Sequence, residues 1–371
     1  MELSEALYRC NKCGFCQASC PFYQLTREEW ANARGRLRLV REALEGRLAP
    51  SDKYALRLYR CFMCGACSAT CPSGVPAEEV LLKTREELAR KGFIPSPLEE
   101  LGSRVISTGN ISGEDKSLRL SWVQNLDFPV RRNGKPDFVY FVGCVSSLYP
   151  QAYGLPQSMV YLLEKRGVNY SVLGEEERCC GYPLLINGQV ELALEIAKKN
   201  IAAVKETGAK VLITTCPSCY RMWKKFYPEL LGEDNPVEVV HSSQWLAEAG
   251  LPLKPLEEKL TYHDPCDLGR GSGVYEEPRA FLKSIPGVGL VEMPLTRAEA
   301  LCCGGGGNVE SLEPSAGEGV AKMRLEQARL VGAKAVVTAC PQCRRTISRA
   351  SRGTGLKVVD IVELAAKLLT D

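Results

Sequence analysis

Residues 211–219 read VLITTCPSC and residues 335–343 read AVVTACPQC. Each is a short, nearly uninterrupted apolar run rich in β-branched residues that ends in a Cys-Pro-x-Cys turn. Such a run predicts a strand buried on both faces, as in a parallel sheet, with cysteines delivered at its carboxyl end. Upstream of each lies a helical stretch, ELALEIAKKNIAAVKETG (191–208) and AKMRLEQARLVG (321–332). Further upstream, FVYFVGC (138–144) and LTYHDPC (260–266) are again apolar runs closing on a cysteine, followed by QSMVYLLEKRG (157–167) and RAFLKSI (279–285). The two stretches are therefore copies of one β–α–β–α unit.

The cysteines keep the register of the repeat. Cys144, Cys179, Cys180, Cys216 and Cys219 are followed by Cys266, Cys302, Cys303, Cys340 and Cys343, at offsets of 122 to 124 residues. Pro156 matches Pro278, Gly208-Ala209-Lys210 matches Gly332-Ala333-Lys334, and Val239-Val240 matches Val358-Val359. Two pseudo-symmetric α/β domains with parallel sheets are expected, one over 136–250 and one over 251–371. Their cysteines fall at the carboxyl ends of strands, where open parallel sheets place their sites.

The first part of the chain repeats on a smaller scale. Cys10-x2-Cys13-x2-Cys16-x3-Cys20-Pro21 recurs as Cys61-x2-Cys64-x2-Cys67-x3-Cys71-Pro72. In two-cluster ferredoxins the trailing cysteine of such a run ligates the other cluster. By that rule Cys10, Cys13, Cys16 and Cys71 hold one cubane [4Fe-4S] cluster, and Cys61, Cys64, Cys67 and Cys20 hold a second. Zinc also takes Cys-x2-Cys pairs, but two complete runs with Cys-Pro favour iron. Between the runs, Trp30, Leu37, Val40, Leu44 and Leu48 fall at helical spacing, and Ala77–Lys91 reads as a helix stopped by Gly92. Residues 1–95 are expected to form a small helical domain. Residues 96–135, rich in Gly, Pro, Ser and Asn, read as a connecting segment with a short helix near Leu98–Ile106.

All 18 cysteines are thus placed in metal-type sets. With no export signal at the N-terminus, disulfides are the poorer reading, because reducing compartments keep thiols free. A net charge of +3, not gathered into basic blocks, gives no case for nucleic acid. No apolar stretch of about 18 residues exists to span a bilayer. A cytoplasmic location is expected, with any membrane association left to a partner subunit. The run Gly304–Gly307 follows a cysteine pair and lacks dinucleotide spacing, so a tight backbone around a cluster is expected there, and no flavin or NAD site.

Five thiolates per repeat exceed what a cubane uses, and the adjacent pairs point to a cluster in which one sulfur bridges two irons. The pattern Cys-x34-35-Cys-Cys-Gly-x34-35-Cys-x2-Cys resembles the CCG module of heterodisulfide reductases. A ferredoxin-type front followed by two such modules is similar to the D-subunit family of those enzymes, as are CCGYPLLINGQ, YHDPCDLGR, GVYEEPR and LCCGGGGN. The resemblance implies a bacterial-ferredoxin-like domain followed by two Rossmann-like CCG domains. It also implies that each five-cysteine set binds a noncubane [4Fe-4S] cluster, and that a disulfide binds between the two and is split in one-electron steps. The family commonly reads Cys-His-Leu-Gly where this chain has Cys266-Asp267-Leu268-Gly269, so substrate handling there is expected to differ.

Beyond the ligands, His263 is a candidate proton donor to a leaving thiolate, and Arg178 and Arg270 flank ligands where they can meet an anion or a cluster's charge. Two functions follow. The first is the catalytic subunit of a disulfide reductase, fed by a flavoprotein, ferredoxin, hydrogenase-type or cytochrome b partner. The alternative is an electron-transfer subunit of a flavin-dependent dehydrogenase of the glycolate, lactate or glycerol-3-phosphate type. Two complete five-thiolate sets favour the first.

Overall fold

The computed structural model describes residues 3–132 and 134–370; Met1, Glu2, Asn133 and Asp371, at the ends or inside of the expected spans, lie outside the described residues. Strands β1 (Phe138–Phe141), β2 (Tyr170–Val172), β3 (Val211–Thr214) and β4 (Glu238–His241) form one parallel sheet in the order β2-β1-β3-β4. Strands β5 (Lys259–His263), β6 (Gly289–Leu290), β7 (Ala335–Thr338) and β8 (Lys357–Asp360) form a second in the matching order β6-β5-β7-β8. Registers agree as well: Leu212 pairs with Val239 and Ile213 with Val240, as Val336 pairs with Val358 and Val337 with Val359. The two fourth strands each end in a helix N-cap with a capping box, His241 with Gln244 and Asp360 with Glu363.

The modules pack reciprocally. Helix Gly154–Lys165, which follows β1, lies on Ile361–Leu368, which follows β8; Glu276–Ser284, which follows β5, lies on Ser242–Glu248, which follows β4. Leu162, Leu246, Phe281 and Leu364 are buried in one apolar core that runs across both modules. This two-fold arrangement turns the strand ends of the two sheets toward each other.

The N-terminal domain is helical, with Ala33–Leu44, Asp52–Tyr59 and Ala77–Arg90 burying Leu37, Val40, Leu58, Val80 and Leu81. Trp30 lies in a separate turn, Glu29–Ala31, because Asn32 caps the helix by accepting from the Gly35 amide, and Leu44 is half exposed. The segment 96–135 differs from a connector outside any core. Its helix spans Ser96–Thr108, and a 3-10 helix follows over Lys116–Asn125. Val105 and Trp122 join the core of the modules, and Arg119 and Asn110 are buried.

Gly307, at φ +66°, shows what the glycine run is for: a Cβ there would stand 2.1 Å from the carbonyl oxygen of Cys61. The second module presses its backbone directly onto the second Cys-x2-Cys loop. Close approach to the N-terminal domain is thus a reason for this run that the expected wrapping of a cluster did not include.

Candidate metal centres and active site

Each Cys-x2-Cys-x2-Cys loop turns through left-handed residues at matching positions, Lys12 and Gly14 in one, Met63 and Gly65 in the other. The loops gather their cysteines around two small cavities. One is lined by Cys10, Cys13, Cys16 and Cys71, the other by Cys20, Cys61 and Cys64, and Cys67 lines both. The trailing cysteine of each run thus meets the opposite loop. All 18 cysteines are free thiols. Sulfur donors in fours suit iron–sulfur clusters, and these residues fit such a group.

In the modules Cys144, Cys216, Cys266 and Cys340 follow the ends of β1, β3, β5 and β7. Cys144 opens helix Cys144–Leu148 behind β1, and Cys216 and Cys340 cap helices whose first residues are Pro217 and Pro341. Backbone amides converge on the sulfurs: Gly304 donates to Cys302 at 3.3 Å, Gly305 to Cys303 at 3.3 Å, and Gly181 to Cys179 at 3.5 Å. Thiol hydrogen bonds from Cys179 and Cys219 pull the Cys180 thiol down to about 6 against its burial. Hydrogen bonding with Cys302, helped by Arg270, does the same for Cys64. The second loop of the N-terminal domain is therefore in sulfur contact with the second module.

Between the facing strand ends lies a cavity of about 320 Å³. Its wall contains Cys144, Cys179, Cys180, Cys216 and Cys219 from the first module and Cys266, Cys303, Cys340 and Cys343 from the second. Cys302 is turned away from it, toward Cys64. The rest of the wall is mixed: Leu101, Ile111 and Ile186 are apolar, while Arg104, Asn308 and Arg345 are polar. Arg345 lies over the Tyr149 ring, 5.1 Å from its centroid, and pairs with Glu310.

Asp267 lines this cavity and joins three parts of the chain. It accepts from Ser218 Oγ at 2.6 Å, Tyr182 Oη at 2.9 Å and Arg221 Nη1 at 3.0 Å, and the same Arg221 nitrogen reaches Glu78 at 2.8 Å. Its place in the molecule is that of a clamp between modules.

His263 and Arg270 do not line the cavity. The His263 imidazole lies behind Cys303 and Cys343, with ligand atoms within 4.8 Å of one another. Burial holds it below its usual value, and Nδ1 faces Arg324 Nε at 3.1 Å. An accepting Nδ1 puts the proton of the neutral ring on Nε2. The expected direct contact with a substrate thiolate is replaced by a position behind the Cys303 sulfur. Arg270 donates Nε to the Cys64 carbonyl at 2.7 Å and Nη1 to Ala298 and Ala300 at 3.1 and 2.7 Å. It faces Cys64, Cys266 and Cys302 and not the cavity. Arg178 packs over Gly109.

Sequence reading missed Arg119 and Glu177. Arg119 donates Nη2 to Cys144 Sγ at 3.4 Å and Nη1 to Glu177 at 2.9 Å, and Glu177 accepts the amides of Val142 and Gly143 at 2.7 and 2.9 Å. This buried pair fixes the turn that presents Cys144. The available signal was the three-residue spacing of Arg119 and Trp122, which puts both on one face of a 3-10 helix.

A family model described as a 4Fe-4S dicluster domain matches residues 6–75, and one described as a cysteine-rich domain matches residues 138–224 and 260–348. The chain is 34% identical to the D subunit of the dihydromethanophenazine:CoB–CoM heterodisulfide reductase of Methanosarcina mazei, over 97% of this chain and 93% of the relative. It is 33% identical to the B subunit of the fumarate reductase (CoM/CoB) of Methanothermobacter marburgensis, over 85% of this chain and 62% of the relative. A crystal structure of a hypothetical protein from Helicobacter pylori shares the fold at a TM-score of 0.65 and 12% identity, covering 100% of this chain and 77% of that one. Among the described residues no helix is long and apolar enough to cross a membrane. With the cysteine framework and near-complete coverage taken together, the chain belongs to the D-subunit family of heterodisulfide reductases, iron–sulfur subunits of oxidoreductases.

Proposed function

We propose that this chain is the catalytic subunit of a heterodisulfide reductase-type complex, in which a disulfide enters the cavity between the modules and is reduced to two thiols. One observation carries the reading: a single cavity is walled by sulfurs of both five-cysteine sets. When bound, two cubane clusters at the N-terminal sets and two noncubane clusters at the module sets would supply one-electron storage and transfer. Reduction consumes two electrons and two protons, breaks the S–S bond and forms two S–H bonds. The electrons come from a partner subunit, since no phosphate-cradling loop for flavin or NAD occurs in the chain.

The chain's own residues supply placement. Cys144, Cys179, Cys180, Cys216 and Cys219 hold one centre, and Cys266, Cys302, Cys303, Cys340 and Cys343 the other. Leu101, Ile111 and Ile186 give the cavity an apolar side that excludes water, and Arg104 and Asn308 offer donors to polar ends of the substrate. His263, neutral and behind Cys303, is positioned to direct an N–H at a ligand sulfur. Asp267 keeps the modules at one separation.

Iron-loaded protein reduced by a low-potential dye should cleave a suitable disulfide without any partner. If no disulfide in a broad panel is reduced, and a flavoprotein partner instead reduces the protein when given a hydroxy acid, the electron-transfer alternative holds.

A further inference from the structure

The two cysteine cavities of the N-terminal domain differ in the charge around them. Beside Cys20, Arg36 is fully buried and donates to the carbonyls of Ala31, Arg57 and Arg60. Beside Cys61, Arg85 is fully buried and donates to the carbonyls of Leu58, Tyr59, Cys61 and Ile186. Arg270 closes the third side from the second module through the Cys64 carbonyl. Among the described residues none of these three guanidiniums pairs with a carboxylate. Glu78, the acid on this cavity wall, is engaged by Arg221. The basic groups at the other cavity are Lys12, which is exposed, and Arg34, which is paired with Glu29 at 2.7 Å. Cys13 on that side is exposed to solvent.

A buried cation without a counter-ion is costly, and carbonyl dipoles compensate it only in part. The groups that face these three are cysteine sulfurs, Cys20 for Arg36, Cys61 for Arg85, and Cys64, Cys266 and Cys302 for Arg270, each of which would carry thiolate charge when it holds iron. Adding an electron to a thiolate-bound cluster adds negative charge, which buried cations favour and solvent-screened ones favour far less. Net charge and solvent exposure are among the determinants of iron–sulfur potentials.

We infer that Arg36, Arg85 and Arg270 are positioning residues that set the centre held by Cys20, Cys61, Cys64 and Cys67 at a higher reduction potential than the centre held by Cys10, Cys13, Cys16 and Cys71. The inference rests on the four-iron reading of both sets. An electron arriving from a one-electron donor at the exposed Cys13 side then runs downhill, the outer centre being oxidised and the inner one reduced by one electron, with no proton moved. It arrives where Cys64 touches Cys302, at the door of the second module.

The test is an anaerobic potentiometric titration of the full-length, iron-loaded chain followed by electron paramagnetic resonance. Two cubane signals should reduce at potentials at least about 59 mV apart, a tenfold difference for one electron. Cys13→Ser should alter the lower-potential signal. Arg36→Gln, Arg85→Gln and Arg270→Gln should each make reduction of the higher-potential centre at least threefold less favourable, whereas Lys at each position should keep it near wild type. Both signals reducing together, Cys13→Ser altering the higher one, or Gln variants without effect would each overturn the inference. Should a Gln variant lose its iron, the wild-type separation and the Cys13→Ser assignment decide alone. Absence of cubane signals, with zinc in place of iron, would instead reject the cluster reading beneath it.

Discussion

Asp267 holds three donors at once, and that makes its removal expensive. Asp267→Ala leaves Ser218 and Tyr182 without their acceptor and Arg221 with Glu78 alone. Breaking a buried pair from one side costs about 3–5 kcal/mol, and the surviving Glu78 contact puts this case near 3. A denaturant titration of anaerobic protein should show that loss; an unchanged midpoint would refute the clamp. His241 offers a pH-dependent test that titrates no cysteine. Burial lowers its value to about 3 while its Nδ1 accepts from the Ser243 amide at 3.2 Å. The folded state excludes a proton that the unfolded chain binds below about 6.5, so its stability contribution is present above that pH and falls on acidification. From pH 7 to 5 the expected loss is about 2 kcal/mol, and His241→Asn, which can still cap the helix, should remove that part of the slope. At this scale the cysteine sets were legible because each spacing recurs in a second copy. Asp267 was legible as a departure and not as a clamp, because its partners lie 46 to 85 residues away.

Strands and helices of the modules could be read from the repeat, since each apolar run had a second copy confirming its period. The segment 96–135 could not: its Gly, Ser and Asn content reads as connector, yet a 3-10 helix has three residues per turn and hides Arg119 and Trp122 on one face. Close backbone approach also leaves no periodic trace. It predicts a contrast between two glycines with left-handed backbone. Gly46, at φ +74° with nothing within 4 Å of where an added methyl group would sit, should accept Ala for about 1 kcal/mol. Gly307→Ala meets the Cys61 carbonyl and should cost at least about 2 kcal/mol more, because neither backbone can give way without parting the domains. Thermal unfolding of the two variants side by side checks this; equal midpoints would contradict the packing described.

For the whole molecule, the sequence repeat foretold two modules but not their reciprocal packing, since helix-to-helix contacts between copies depend on faces that either partner could have used. That packing is what makes one cavity out of two cysteine sets. Anaerobic protein should carry about sixteen irons per chain with little zinc if every set is filled, and a plateau near about eight would keep the N-terminal centres and remove those of the modules. The central claim is that both modules act on one disulfide. It is tested most directly by comparing dye-driven disulfide turnover in wild type, Cys180→Ala and Cys303→Ala, with paramagnetic resonance on the same samples. The account predicts that either change abolishes turnover while the N-terminal cubane signals survive reduction intact. Turnover at the wild-type rate in both variants would contradict it.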